Sequence, residues 1–255
     1  GESCLEGVFR AEPENGQLRM VGLSCFKDIG WPWKKAIDEM IELDPDIVFF
    51  SGDQIYENDH GVPMFRPTRP EEVPRGMLNY LRKYRQFGTA FRDFLKDRPS
   101  IMITDDHDVF ANDLWGKGGL TMKGDRTTGG YPCHPNWVNA VELTQTGTLP
   151  DPIDRGPHGD GILAYYTALE YGEVSFAILE DRKFKSAPSE VISQPILGAG
   201  QKSKRKPGNL EVVRDPDFDC TRLDRPDLQL LGPAQEAFLA GWSRELEESG
   251  KIGAI

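Results

Sequence analysis

The first 104 residues alternate between short apolar runs and longer amphipathic runs, and this order restricts the fold more than any other feature of the chain. The short runs are typical of buried strands, and the longer runs repeat apolar residues at helical spacing. Parallel strands of one sheet need helical crossovers of this kind between them. The order therefore predicts an α/β layered fold with a mainly parallel sheet. The strands are LRMVGLS (18–24), DIVFF (46–50) and SIMIT (100–104), and the helices lie within residues 31–43 and 74–97.

Two details of these helices can be predicted from the residue types. Pro32 suits the first turn of the first helix, where its missing N–H is tolerated. The second helix is expected to bury one apolar face that includes Leu78, Leu81, Phe87 and Phe91.

The second half of the chain adds a hairpin and two more helices. LAYYTALEYG and EVSFAILE predict an antiparallel hairpin closed at Tyr171 and Gly172. Helices are predicted over residues 136–146 and 233–249, the second between Pro233 and a terminating glycine.

Two segments do not follow this regular pattern. Residues 105–135 are polar and rich in glycine, and a loop of that length inside a compact domain is usually functional. Residues 183–228 are basic, then polar and proline-containing, which predicts an insertion. We expect both segments to belong to one domain that spans residues 1–255.

The charge balance excludes some partners. The formal net charge is −11, which argues against binding to nucleic acids or anionic membranes because phosphates demand a basic surface. No run of about 18 apolar residues is present, so no membrane span is predicted. Solubility accounts for the acidic excess in the plainer interpretation, and coordination of cations is the alternative.

The cysteines leave the cellular compartment open. Cys4, Cys25, Cys133 and Cys220 fit no zinc-finger spacing and are too few for a disulfide framework at this length. One or two disulfides are compatible with this number. No signal peptide is visible in the sequence.

Polar side chains follow four of the predicted strands directly. In open α/β sheets, functional groups lie just beyond the carboxyl ends of the strands, so these side chains are expected at one edge of the sheet. They are Ser24 and Cys25, Asp53 and Tyr56, Asp105 to Asp108 with Asn112, and Glu180 to Arg182.

Several carboxylates at one edge repel each other unless cations lie between them. Carboxylate and amide oxygens suit calcium, magnesium or manganese. A thiolate and a phenolate suit a more Lewis-acidic ion such as ferric iron, so a site with both ligand types is expected to be binuclear. Two metal ions about 3.5–4 Å apart are a standard device for phosphoester hydrolysis.

Each candidate also has a structural interpretation. Asp53 follows a glycine and is typical of a turn. Tyr56 alone is more often a packing residue, and Cys25 alone is more often a small buried apolar residue. Glu57 and Asp59 are interpreted as solvated loop residues.

The remaining candidates have similar alternatives. His107 is compatible with a hydrogen-bonded structural histidine, and Asp105 and Asp106 are compatible with caps of a following helix. Arg182, followed by KFK, is compatible with a surface charge. The joint position of all these residues at strand ends favours the functional interpretation.

Five segments, in the same order along residues 21–242, resemble the PhoD-like alkaline phosphatases, a branch of the calcineurin-like metallophosphoesterases. GLSC is similar to the family segment whose cysteine ends the first strand. The others are GDQIYE, similar to GD-x-x-YE; TDDHDVFAND, similar to DDHE-V-x-N; ILEDRKFKS, similar to LDTR-x-x-x-S; and LLGPAQEAFLAGW, similar to LG-x-x-Q-x-x-W-L with Phe238 in place of the tryptophan.

The resemblance implies a metallophosphoesterase-type α/β-β-α sandwich that binds iron and calcium, with other divalent metals as alternatives. It implies hydrolysis of phosphomonoesters or phosphodiesters as substrates. Carried over by position, the metal ligands are Cys25, Asp53, Tyr56 and Asn112, with Asp53 bridging two metals. Asp53, His107 and Arg182 are the expected catalytic residues. A periplasmic or secreted location is expected.

The chain departs from the family pattern in two places. The remaining family ligands come from a later GD-x-H segment, which does not appear before Ile255. We therefore expect an incomplete fold that lacks its C-terminal part, with a further segment or a second chain completing the site. The region after TDDHD offers several basic residues for phosphate, and the sequence does not select one of Lys117, Lys123, Arg126 and His134.

These departures keep two other functions open. One is a catalytically inactive binding or scaffold protein on the same fold. The other is a metal-dependent hydrolase of non-phosphate esters, which would differ in its pocket rather than in its metal ligands.

Overall fold

The computed structural model describes residues 4, 6–13, 17–124, 126–190 and 217–255, without the side chain of Arg126. Within these residues the helices and strands follow the predicted order. The strands are β1 (Met20–Leu23), β2 (Ile47–Phe50), β3 (Ser100–Met102), β4 (Thr167–Tyr171), β5 (Val174–Ile178) and β6 (Ile252–Ala254). The helices are α1 (Lys34–Leu43), α2 (Val73–Leu95), α3 (Pro135–Thr146) and α4 (Pro233–Ser249).

The first sheet has the order β1-β2-β3, and all of its strands are parallel. Successive side chains of β2 point to opposite faces of this sheet. Val48 and Phe50 pack with aromatic residues of α2, including Phe87 and Phe91. Ile47 packs on the other face, against the second sheet. The predicted parallel sheet with helical crossovers is confirmed.

The second sheet has the order β4-β5-β6. β4 and β5 form the predicted antiparallel hairpin, but its two-residue turn is Gly172 and Glu173, one residue later than predicted. β6 runs parallel to β5, with Val174 opposite Ile252. The sequence did not predict β6, because three residues that include a glycine become a strand only when β5 supplies hydrogen-bonding partners.

The layers form an α/β-β-α arrangement. α1 and α2 cover one face of the first sheet, and residues such as Ile101 and Phe176 form a core between the two sheets. α4 covers the second sheet, where the indole nitrogen of Trp242 donates a hydrogen bond to the hydroxyl of Ser175 at 2.9 Å. The predicted α/β-β-α layered fold is confirmed.

The first helix starts later than predicted. α1 begins at Lys34, and Pro32 therefore lies before the helix. Trp33 has a left-handed backbone, with a φ of 54°, which no helical turn accommodates. Its indole instead donates to the backbone carbonyl of Lys27 at 3.1 Å.

The buried face of α2 also differs from the prediction. Leu78 and Leu81 are 53% and 44% exposed, whereas Tyr80 and Lys83 are fully buried. The spacing of apolar residues does not predict this face, because it includes a lysine. The ammonium of Lys83 can be buried because its hydrogen bonds are satisfied inside the protein. It donates to the backbone carbonyls of Asp59 and Val62, at 3.3 and 2.5 Å.

The long polar loop after β3 is confirmed, and short 3-10 turns interrupt it at His107–Val109 and Arg126–Thr128. Phe110 holds this loop to α3, with its ring 4.9 Å from that of Trp137. The predicted insertion at 183–228 falls mostly outside the described residues, since 191–216 are not among them. Of the helices in the described part, none has the length and apolarity that a membrane span needs.

Candidate metal centre

The ends of β2 and β3 meet at the carboxyl edge of the first sheet. Gly52 has a φ of 100°, and a Cβ at this position would lie 2.2 Å from the Cβ of Asp105. Only glycine fits so close an approach with this backbone. The next residue, Asp53, has a left-handed φ of 59°, as does Cys25 at 61°. Strained backbone of this kind often occurs at functional sites.

Asp108 ties the two strand ends together. Its side chain is fully buried, and its carboxylate accepts the backbone N–H groups of Asp53 at 2.7 Å and Asp105 at 2.9 Å. Burial raises the pKa of Asp108 to about 7, against the opposing effect of these hydrogen bonds. The same carboxylate accepts the N–H groups of Gln54 and Ile55 and the side-chain amide of Gln145. Sequence reasoning placed Asp108 at the strand end but gave it no role.

Asp53 lies at the centre of the predicted ligands. Its Oδ2 accepts the hydroxyl of Tyr56 at 2.9 Å and lies 3.5 Å from the Sγ of Cys25. Its Oδ1 accepts the backbone N–H of His107 at 3.2 Å. Burial, followed by the charge of Asp105, raises the pKa of Asp53 to about 6. The structure therefore brings four predicted site residues into one cluster.

His107 is paired with Glu57. Its Nδ1 lies 3.0 and 2.9 Å from the two carboxylate oxygens of Glu57, and its ring lies 4.1 Å from that of Tyr56. Burial opposes the imidazolium charge, but Glu57, Asp53 and Asp106 together raise the pKa of His107 to about 9. The interpretation of Glu57 as a solvated loop residue is wrong, because its side chain is only 16% exposed and holds the imidazole.

The same correction applies to Asp59. This residue is 2% exposed, and its carboxylate accepts the backbone N–H of Tyr56 at 3.0 Å. Burial, followed by the charge of Asp28, raises the pKa of Asp59. Asp59 therefore supports the ligand loop, and the interpretation of Asp59 as a solvated loop residue is wrong.

Asp106 is a candidate ligand that the sequence analysis placed at the strand end, with a helix cap as its alternative, but did not assign to a metal. It does cap the turn that follows, accepting the N–H of His107 at 2.9 Å. Its carboxylate is also one of three groups that are close enough to bind a single metal ion. Within the described part of the chain, one ligand atom from each of Asp53, Asp106 and His107 lies within 4.8 Å of the other two.

Asn112 connects to this cluster through its neighbour. Its amide donates to the carboxylate of Asp113 at 2.5 Å, and the N–H of Asp113 donates to the carboxylate of Asp106. The role of Asn112 as a metal ligand stays a prediction.

Arg182 forms a bidentate ion pair with Asp105. Its Nε lies 2.6 Å from Oδ1, and its Nη2 lies 3.1 Å from Oδ2. Burial opposes the charge, but the hydrogen bonds and charge of Asp105 raise the pKa of Arg182. Arg182 is therefore half-buried beside the cluster rather than a surface charge, and its catalytic role stays a prediction.

The chemistry of the cluster fits a metal. Burial raises the pKa of Asp53 most, and the charges of Asp105 and Asp106 raise it further, so negative charge is concentrated without full compensation. Burial, followed by the charge of Asp53, raises the pKa of Tyr56, so a phenolate there needs a strong Lewis acid beside it. The donors are a thiol, carboxylates, a phenol and an imidazole, which suit a Lewis-acidic transition metal together with a harder ion.

The chain has a layered α/β fold, and a carboxylate-rich cluster lies at the carboxyl edge of its parallel sheet. These two features place it in the class of α/β proteins with a candidate metal centre. The PhoD-like phosphatase family model matches residues 20–252, and the chain belongs to that family. The family resemblance in the sequence is confirmed.

A solved structure described as "Structure of PhoD" has the same fold. It is 20% identical in sequence, with a TM-score of 0.57 over 91% of this chain. The chain spans 40% of the length of that protein. A comparison with curated protein sequences returned no match.

Proposed function

We propose that the chain carries a metal-dependent phosphoester hydrolase site with two metals, acting on phosphomonoesters or phosphodiesters. This proposal rests on the carboxylate of Asp53, whose two oxygens have different neighbours. Its Oδ2 faces the thiol of Cys25 and the phenol of Tyr56, and its Oδ1 faces the turn that bears His107. A carboxylate with different donors at its two oxygens is suited to bridge two unlike cations.

Cys25, Asp53 and Tyr56 would hold one ion, and Asp53 with Asn112 would hold the second. The family resemblance favours iron and calcium for these positions. Asp106 is added to the candidate ligands because of its distance from Asp53 and His107. When bound, such a pair supplies an activated nucleophile and stabilises charge at phosphorus.

The protein residues orient this centre and adjust its charge. Asp108 and Gly52 hold the two ligand loops in contact. Glu57 fixes the imidazole of His107, and the pairing of Arg182 with Asp105 compensates one carboxylate at the rim. Preorganised groups of this kind avoid reorganisation during the reaction.

We further propose that residues 1–255 act as one catalytic domain, with 183–228 as an insertion. A further segment or a second chain would supply the remaining ligands. A periplasmic or secreted location is proposed from the family resemblance.

The test is Asp53→Asn in the purified protein, with metal content, folding and hydrolysis of an aryl phosphate measured together. We expect a folded protein that has lost both metal and turnover, because the amide cannot carry the bridging charge. Asp93→Asn, at an exposed position of α2, is the matched control and should behave as wild type.

Turnover of aryl phosphate by the Asp53→Asn variant contradicts the proposal. Wild-type protein that holds metal but hydrolyses only carboxylic esters favours the alternative hydrolase. Wild-type protein that hydrolyses neither substrate favours the inactive binding protein.

A further inference from the structure

A phosphate substrate is best met by a cation that no protein carboxylate already holds, and three of the basic residues suggested by the sequence are engaged elsewhere. Lys117 pairs with Glu190 at 2.9 Å, and Arg182 is paired with Asp105. The Nδ1 of His134 accepts the N–H of Asn136 at the start of α3. Lys123 lies near Asp160, whose pKa is lowered mainly by hydrogen bonds from Thr121 and to a lesser extent by the charge of Lys123. The side chain of Arg126 is outside the described residues.

Lys27 differs from these residues in both position and partner. It follows Cys25 by two positions, and its ammonium lies 5.3 Å from the centre of the Tyr56 ring. The hydroxyl of that ring donates to the carboxylate of Asp53. No carboxylate in the described part of the chain forms an ion pair with Lys27, although acidic residues are abundant.

The backbone of Lys27 is held in place from several directions. Its N–H donates to the carbonyl of Cys25 at 2.9 Å, and its carbonyl accepts the indole N–H of Trp33 at 3.1 Å. Trp33 is itself stacked on Phe91, with ring centres 5.8 Å apart. The exposed side chain of Lys27 therefore starts from a fixed point beside the candidate metal centre.

The loop that carries Lys27 is also fixed to the loop that carries Tyr56. The carboxylate of Asp28 accepts the backbone N–H of His60 at 2.6 Å. Trp31 adds an edge-to-face contact with the His60 ring, at 5.6 Å between centres. These contacts fix the backbone of Lys27 relative to that of Tyr56, so the position of Lys27 does not depend on the contact between its ammonium and the Tyr56 ring.

We propose that Lys27 is a substrate-binding residue that contacts a phosphate oxygen and favours phosphomonoesters over phosphodiesters. This inference rests on the proposed function. An ammonium over an aromatic ring is only weakly held, so it can turn to a phosphate oxygen and form a stronger charge-assisted hydrogen bond. A monoester brings a dianion and a diester a monoanion, so one added cation stabilises the bound monoester more.

The test compares Lys27→Met, which keeps the aliphatic stem, with Lys27→Arg, which keeps the charge. Three quantities are measured on metal-loaded protein: the Kd of inorganic phosphate by calorimetry, kcat/KM for an aryl phosphomonoester and a diaryl phosphodiester, and the metal content. We expect Lys27→Met to lose about tenfold in phosphate affinity and in monoester kcat/KM, as for one lost charged hydrogen bond. The diester value should fall less, and Lys27→Arg should stay near wild type.

Lys35→Met is the matched control, because Lys35 is an exposed lysine of α1 whose side chain is 92% exposed. It should leave all three quantities unchanged. Equal phosphate affinity in wild type and Lys27→Met overturns the inference, as does an equal loss for monoester and diester. A loss of metal in Lys27→Met also overturns it, because Lys27 would then act through Tyr56.

The two proposals fail in different ways. If the wild type binds phosphate through Lys27 but hydrolyses no ester, the binding role stands and the proposed function falls. If the wild type hydrolyses phosphoesters and Lys27→Met does so equally well, only the role of Lys27 falls.

Discussion

The buried carboxylate of Asp108 accepts the backbone N–H of Asp53 at 2.7 Å, and this bond joins the candidate bridging ligand to the turn after β3. The same oxygen accepts the N–H of Asp105 at 2.9 Å. One side chain thus sets the distance between two loops that are more than 50 residues apart in the chain. The geometry of the candidate metal centre depends on a residue that is not itself among its proposed ligands.

Asp108→Asn should destabilise the protein strongly. An amide has one acceptor oxygen and directs its NH₂ group at N–H donors, so several buried donors lose their partner. We expect the free energy of unfolding to fall by about 2–4 kcal/mol. Urea denaturation measures this change, with the exposed Asp93→Asn variant as control. An effect no larger than that of the control contradicts the structural role of Asp108.

Gly52→Ala should separate the ends of β2 and β3. The added methyl group would lie 2.2 Å from the Cβ of Asp105, and a φ of 100° strains any residue with a Cβ. We expect a loss of about 2 kcal/mol or more in stability, together with weaker metal binding. Gly22→Ala in β1 is the control, because nothing lies within 4 Å of its added Cβ. Equal behaviour of the two variants in urea and in metal analysis argues against the close approach.

Glu57→Ala should weaken metal binding without unfolding the protein. Glu57 holds Nδ1 of His107, which lies in the candidate metal group with Asp53 and Asp106, and loss of a carboxylate that orients a ligating imidazole typically costs about 10–100-fold in metal affinity. Competition with a chelator measures this affinity. Glu57→Gln should retain part of it, since the amide oxygen still accepts a hydrogen bond. Glu39→Ala, at an exposed position of α1, should match wild type. Unchanged affinity in Glu57→Ala would remove Glu57 from the metal centre.

Metal should stabilise the folded protein against heat. Cations that bind only the folded state compensate the burial and the repulsion by Asp105 that together raise the pKa of Asp53. At a concentration about 100 times its Kd, a metal adds about 2.7 kcal/mol to the free energy of unfolding. Thermal unfolding with iron, calcium or both, before and after chelator, measures this effect. The rise in Tm should disappear in Asp53→Asn, and a rise that persists there would place the metal elsewhere.

Local patterns predicted the helices and strands well where one face of the element is uniformly apolar. α4 was predicted over 233–249 and spans Pro233–Ser249, because proline and glycine mark its two ends. The buried face of α2 was harder to predict, because Lys83 is buried only through carbonyl groups of the loop after β2. β6 could not be predicted at all, because its hydrogen bonds come from β5.

In the candidate site, too, some residues could be predicted from local patterns and others depend on tertiary contacts. The rule that functional residues follow strand ends selected Cys25, Asp53 and Tyr56, and the structure brings their side chains together. It did not select Glu57 or Asp59, since polar residues after a strand are usually solvated.

The sequence by itself determined the family, the order of helices and strands, and the edge of the sheet where polar groups collect, because these follow from local periodicity and short motifs. Only the tertiary structure decided which side chains form hydrogen bonds with each other at the site. Glu57 with His107 and Asp108 with Asp53 are each separated by at least 50 residues, and burial makes every unpaired polar group costly. A carboxylate that looks like part of a polar turn becomes a support of the metal centre only when folding gives it a buried donor.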